Sequence, residues 1–137
     1  MTARVLVVVV DVHRAHLLSA NHRGHWSVRR SVSRVLRDTA ALELRRAIGP
    51  VSPPSAVRPW MTRAHVLVEV AWPTRRRRDV ANVAPTVKAL VDGLVTDGHL
   101  LPDDDDAHLI GPDLRSAPHL SGTPGMTRFT FRIEEQP

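Results

Sequence analysis

Apolar and polar positions alternate most regularly in two stretches of the chain. From Ala64 to Trp72, Val66, Val68, Val70 and Trp72 fall on one side while His65, Leu67 and Glu69 fall on the other. That period of two predicts a half-buried strand. Thr127 to Glu134 repeats it, with Phe129, Phe131 and Ile133 set against Arg128, Thr130 and Arg132, and predicts a last strand with one basic face. Residues 4 to 12, Arg-Val-Leu-Val-Val-Val-Val-Asp-Val, are almost unbroken in apolar character. Such a β-branched run predicts a strand covered on both faces and central in its sheet.

Two further stretches change to a helical period. After a polar lead, Ser19 to His25, the residues Val28, Val32, Val35, Leu36, Thr39, Leu42 and Ala47 recur at three- and four-residue steps. They predict a helix from about Trp26 to Ile48, stopped by Gly49-Pro50. Behind Asn82-Val83-Ala84-Pro85, with the proline suited to a first turn, Val87, Leu90, Val91, Leu94 and Val95 form a narrow apolar stripe closed by Gly98. Lys88 and Asp92, four apart, share the flank beside that stripe. Val51 to Pro59 is expected to be an ordered loop, and the Pro- and Gly-rich residues 111 to 126 a mobile surface loop. The elements predict a two-layer α/β (α+β) domain, a small mixed sheet with two main helices mostly on one side. At 137 residues, one domain spanning 1–137 is expected.

Composition adds charge and subtracts some chemistries. The net charge of +5 is unevenly placed: residues 1 to 78 hold 15 Arg against four acids, while residues 79 to 137 hold three Arg and Lys88 against ten. One half suits phosphates and the other cations. With no cysteine, disulfides, thiolate catalysis and Cys-ligated zinc are excluded. The run Val5 to Val10 is far short of the roughly 20 residues that span a bilayer. No membrane anchor or signal peptide is therefore expected, and a cytoplasmic location is. Because 18 of the 19 basic residues are Arg, a coding bias accounts for Arg enrichment as readily as nucleic acid does, and the single Lys88 stands out.

Four groups of residues carry candidate chemistry. Arg75, Arg76, Arg77 and Arg78 run into Asp79 and Asn82 at a strand-to-helix junction. Guanidinium groups there suit a phosphate backbone and the carboxylate a divalent ion; a solvated basic turn with a capping Asp is the plainer alternative. Asp103, Asp104, Asp105 and Asp106 form an acidic knot whose hard oxygens suit Mg²⁺ or Mn²⁺, or simply an exposed acidic loop. Asn21, His22, Arg23 and His25 place donors at the entry of the first helix, where a phosphate fits, and Arg29 and Arg30 extend them; Trp26 suits stacking or, more simply, the core. Lys88 offers a compact point charge that Arg does not.

Taken in order, Arg75 to Asn82, the helix Lys88-Ala89-Leu90-Val91-Asp92-Gly93-Leu94, and Asp103-Asp104 resemble the motifs of the RusA family of phage and prophage Holliday junction resolvases. The resemblance spans roughly residues 4 to 134. It implies a small homodimeric α/β fold that binds four-way DNA junctions and uses Mg²⁺, with Mn²⁺ as a substitute, to hydrolyse a phosphodiester in each of two opposed strands. Carried over by position, Asp79 and Asp104 are metal ligands, Asp103 helps them, Lys88 stabilises charge and Asn82 organises the site. Ala81 stands where the family has its second aspartate, and Asp92, one turn beyond Lys88, is the expected replacement. A junction-binding protein that does not cut is the alternative that Ala81 implies.

Overall fold

A computed structural model describes residues 3–20, 26–49 and 59–137. Most of the loop expected from Val51 to Pro59, and the predicted DNA contacts Asn21, Arg23 and His25, lie outside the described residues. The elements follow in the order β1 (Val5–His13), α1 (Trp26–Ile48), β2 (Ala64–Ala71), α2 (Ala84–Asp92), β3 (Leu109–Ser116) and β4 (Met126–Glu135). Two 3-10 turns, Arg14–His16 and Val80–Val83, and a π-helical turn, Gly93–Asp97, complete them. The result is a mixed α+β fold, four strands in the order β1-β4-β2-β3 with two helices. No helix of the described residues is long and apolar enough to cross a membrane.

β4 runs antiparallel to both β1 and β2, and its alternation accounts for its central place. Phe129, Phe131 and Ile133 are fully buried, and rows such as Val8, Phe131 and Val68 line up across three strands. Leu36 and Leu44 of α1, Leu90 of α2 and Leu94 of the π turn cover that face. Large β-branched and aromatic side chains thus interdigitate on one side of the sheet, where they leave water together.

Three expectations are corrected. β1 lies at an edge, not the centre, and only its even-numbered residues Leu6, Val8, Val10 and Val12 are buried. Val5, Val7 and Val9 are 48%, 49% and 39% exposed. Consecutive valines fit any extended strand, so the run reports strand propensity and not burial on two faces.

In α1 the buried side is Leu36, Ala40, Ala41 and Leu44, while Val28, Val35 and Leu42 of the expected stripe are exposed and Trp26 is 66% exposed. Small residues face inward because the helices meet backbone to backbone: a Cβ on Gly93 would stand 2.4 Å from the Arg37 carbonyl oxygen.

Residues 109–116, most of which were expected in a loop, form β3, parallel to β2. A register shift between His65 and Leu67, opposite Gly111-Pro112, lets the strand take a proline that a regular ladder would reject.

The π turn is tied to α1 by Arg37, whose Nε and Nη2 donate to the Asp97 carboxylate at 2.8 and 3.0 Å. That hydrogen bonding holds the Asp97 carboxyl below the usual carboxylate range. A depressed folded-state pKa means that the pair stabilises the fold above the unfolded carboxylate value and loses that effect as pH falls through the folded one. Asp97→Asn is expected to lower stability by about 0.5–1 kcal/mol at neutral pH, the pair being half exposed. Urea unfolding should show the difference shrinking below about pH 4.

Candidate active site

Beyond β2 the chain passes Trp72 and Pro73 into the arginine run, and the junction is held by local contacts. The Arg78 guanidinium lies over the Trp72 ring, 4.6 Å from its centroid, and donates to Thr74 Oγ1 at 3.0 Å. Burial, and then repulsion from Arg76, lowers the Arg78 pKa from its ordinary value. Asp79 caps the 3-10 turn, its Oδ1 accepting from the Ala81 N–H at 3.0 Å. Arg75, Arg76 and Arg77 are exposed.

These residues border a groove of about 1360 Å³ whose polar lining includes Arg14, Arg76, Arg77, Arg78, Asp79 and Asn82. Arg14 was not singled out in the sequence. It enters from the 3-10 turn after β1, with its backbone N–H donating to Gly125 O at 3.1 Å. A lone arginine so far from the run carries no local signal, and only the pairing of β1 with β4 brings it there.

Asn82 organises the rim through its backbone, its carbonyl accepting from the Ala20 N–H at 2.9 Å. Next to it, the buried Thr86 hydroxyl donates to Leu18 O at 2.7 Å and accepts from Leu18 N–H at 2.8 Å. The chain before residue 21 is thus pinned to the start of α2.

The second centre lies on α2. Lys88 Nζ donates to Asp92 Oδ1 and to Asp104 Oδ2, both at 2.9 Å. The i, i+4 spacing supplies the first partner and the acidic turn the second. The hydrogen bonds that Lys88 donates to Asp104 and then to Asp92 raise its pKa, and the Lys88 hydrogen bond lowers that of Asp104. Asp103 Oδ1 accepts from the Asp104 N–H at 2.7 Å, which fixes the turn that aims Asp104 at Lys88.

Asp105 serves the turn in another way, with its Oδ1 2.6 Å from His108 Nδ1 and 3.2 Å from the Ala107 N–H. Asp106 is exposed. Of α1, Arg29 borders a smaller cleft with Lys88, Arg37 and Asp92, and Arg30 is exposed.

The structure therefore brings Lys88, Asp92 and Asp104 together, with Asp103 behind them, and sets Asp79 in the neighbouring groove. Among the described residues no three His, Asp or Glu side chains form a metal-binding group. The donor chemistry still fits Mg²⁺, which commonly takes one or two carboxylates and keeps its waters. Asp92 and Asp104 are such a pair, each accepting from Lys88 Nζ at 2.9 Å. A further cleft, lined by Lys88 and Asp104, begins beside the groove at the start of α2, Val83 lining the groove and Ala84 this cleft. Comparison with known families and with curated proteins finds no match, either to a family model or to a sequence.

Proposed function

We propose that this chain is a metal-dependent endonuclease of the RusA type that cuts four-way DNA junctions. The observation that carries the reading is Lys88, held at 2.9 Å by Asp92 and Asp104 beside an arginine-lined groove. A phosphodiester backbone needs both parts: fixed cations to seat it, and a charged centre where its negative charge grows during hydrolysis.

Arg14, Arg76, Arg77 and Arg78 line the groove and would contact phosphates, and stacking on Trp72 fixes the plane in which Arg78 presents its donors. Lys88 would place a compact positive charge against the developing phosphorane. Asp92 and Asp104 would hold Mg²⁺ or Mn²⁺, with Asp79 and Asp103 completing the carboxylate set. Bound there, the ion would supply Lewis-acid polarisation of the scissile phosphate and a more acidic water. Symmetric cutting of a junction calls for two such sites, hence a homodimer. A cytoplasmic location accords with this role.

The test is cleavage of a labelled four-way junction beside a linear duplex of the same arms, with and without Mg²⁺ or Mn²⁺. Paired symmetric nicks on the junction alone, and only with metal, are the expected result. Arg14→Ala is expected to weaken junction binding and, if the side chain contacts one phosphate, to flatten the salt dependence of log K by about 0.9. An unchanged salt slope removes Arg14 from the interface.

A second reading, a junction-binding protein that does not cut, is favoured by one observation. Ala81 has no carboxylate, and its N–H engages that of Asp79. Tight, salt-sensitive junction binding without nicks, with cutting restored by Ala81→Asp, is what that reading expects.

A further inference from the structure

We propose that a separate cleft, on the far side of Trp72 from Arg78, seats one unpaired nucleobase of the strand whose phosphates the arginine groove holds. The inference rests on the reading of that groove as a phosphate seat. The cleft measures about 330 Å³, and its lining combines Trp72, Pro118 and Leu120 with Arg75, Arg76 and His119. Among the described residues no acidic side chain lines it.

The end of the sheet builds its outer wall. The Ala117 N–H donates to Val70 O and the Ser121 N–H to Trp72 O, both at 2.8 Å. These bonds carry the pairing of β2 with β3 past Ser116 and leave residues 118–120 as a short arch beside the indole. Ser121 is buried and anchors the arch, and His119 Nδ1 lies 3.1 Å from the Leu120 carbonyl oxygen at its tip. Leu120 is 40% exposed there. One exposed leucine needs no explanation by itself. Set across from a half-buried indole, with a proline beside it, it makes the second side of an apolar slot.

The two spaces share a partition. Trp72, Thr74 and Arg76 border both the groove and the cleft, whereas Arg78, stacked on the indole, borders the groove alone. Arg78 therefore occupies the groove side of the ring and leaves the cleft side to another planar group. A phosphate held by Arg76 at the common rim brings the base of the same nucleotide to that side. Nucleobases suit such a slot because they have apolar faces that stack on aromatic rings and guanidinium planes, and polar edges that stay wet. The volume lies at the lower end of the roughly 300–1,000 Å³ typical of small-ligand sites, room for one ring system and not for a stacked duplex. A paired base must first leave its stack to enter, at a cost that is least where the base is already unpaired, as beside a strand crossing.

The test uses the intact chain without metal, so that it does not depend on cutting. Two labelled single strands of equal length and charge are compared by fluorescence anisotropy, one of thymidines and one with the same backbone but no bases. The thymidine strand is expected to bind roughly 10-fold more tightly, the effect of a single base stacked on an aromatic ring. Trp72→Leu keeps an apolar side chain and removes the ring plane, and should bring the two strands to within about 2-fold of each other. Arg14→Ala should weaken both strands alike. Equal affinities in the parent chain, binding of neither strand, or a preference that Trp72→Leu leaves unchanged overturns the proposal.

Should Trp72→Leu fail to fold, photochemical cross-linking of the parent chain to a strand carrying iodouracil decides. The chain has no Tyr and its two Phe are fully buried, so few aromatic rings can react. Adducts at Trp72 or on residues 118–120 are expected, and adducts confined to Trp26 or Trp60, or none, overturn the proposal. The outcomes separate this cleft from the function proposed above. Metal-dependent cutting of junctions with equal affinity for the two strands keeps the enzyme and removes the cleft, and a base preference in a chain that never cuts does the reverse.

Discussion

On the proposed reading, Asp104→Asn is expected to leave the chain folded and able to bind a four-way junction, and to lower metal-dependent cutting by at least roughly 100-fold. Asparagine keeps the shape of the side chain and an oxygen that accepts from Lys88, so the turn fixed by Asp103 stays in place. What disappears is the charge, and with it half of the hard-oxygen pair and the main cause of the raised Lys88 pKa. The stability cost is about 1 kcal/mol or less, because the Lys88–Asp104 pair is largely exposed. A melting curve therefore separates loss of chemistry from loss of fold. Asp79→Asn completes the comparison, since asparagine caps a helical turn as well as aspartate. If Asp79 serves cutting, the variant binds and does not cut; if it serves only as the cap of the Val80–Val83 turn, cutting is unchanged. Cutting by Asp104→Asn at the parent rate would sink the assignment of the site.

Gly93→Ala is expected to destabilise the fold by about 2 kcal/mol or more, against the sign that helix propensity predicts. Alanine inside a helical segment gains about 1 kcal/mol over glycine. Here its Cβ would stand 2.4, 2.8 and 2.9 Å from the O, Cα and C of Arg37, all backbone atoms that no rotamer change can move. The two helices must separate, and overpacking of that kind typically costs about 1–3 kcal/mol before the propensity gain is counted. Urea unfolding should show an earlier midpoint with an unchanged slope. The same displacement is expected to move Lys88, five residues earlier on α2, relative to Asp104 in its turn. On the proposed reading, cutting should therefore fall more than stability alone accounts for, and a midpoint at or above that of the parent chain removes the close approach as the reason for the glycine.

Much of this arrangement is legible in the residues because its signals are local. The alternation of β2 and β4, the span of α1, Pro85 at the start of α2 and the Lys88–Asp92 spacing each need only a few neighbours to read. The position of Asp104 against Lys88, sixteen residues apart, had no such local signal. What was not legible depends on partners far away in the chain. Gly111 and Pro112 read as loop until β2 is known to offer an edge with a shifted register. A valine run cannot say which face is covered until its neighbours are counted. Ala40 and Ala41, too small to register in a hydrophobic stripe, form the inward side of α1 because a helix with a glycine approaches there. Arg14 joins the groove for the same kind of reason.

The place of β4 between β1 and β2 also sets an order of events during synthesis. Among the described residues β1 has β4 as its only neighbour, and Val5 lies opposite Glu134. β1 is therefore made well before its partner, and its valines stay uncovered until β4 has been made. β2 can meet β3 earlier, and α1 can meet α2, but the sheet closes only when β4 inserts. Pairings of such separation cost more loop entropy and make folding slower. The nascent chain would accordingly be most exposed to aggregation just before β4 arrives, and most dependent on whatever shields an extended run of valines until then.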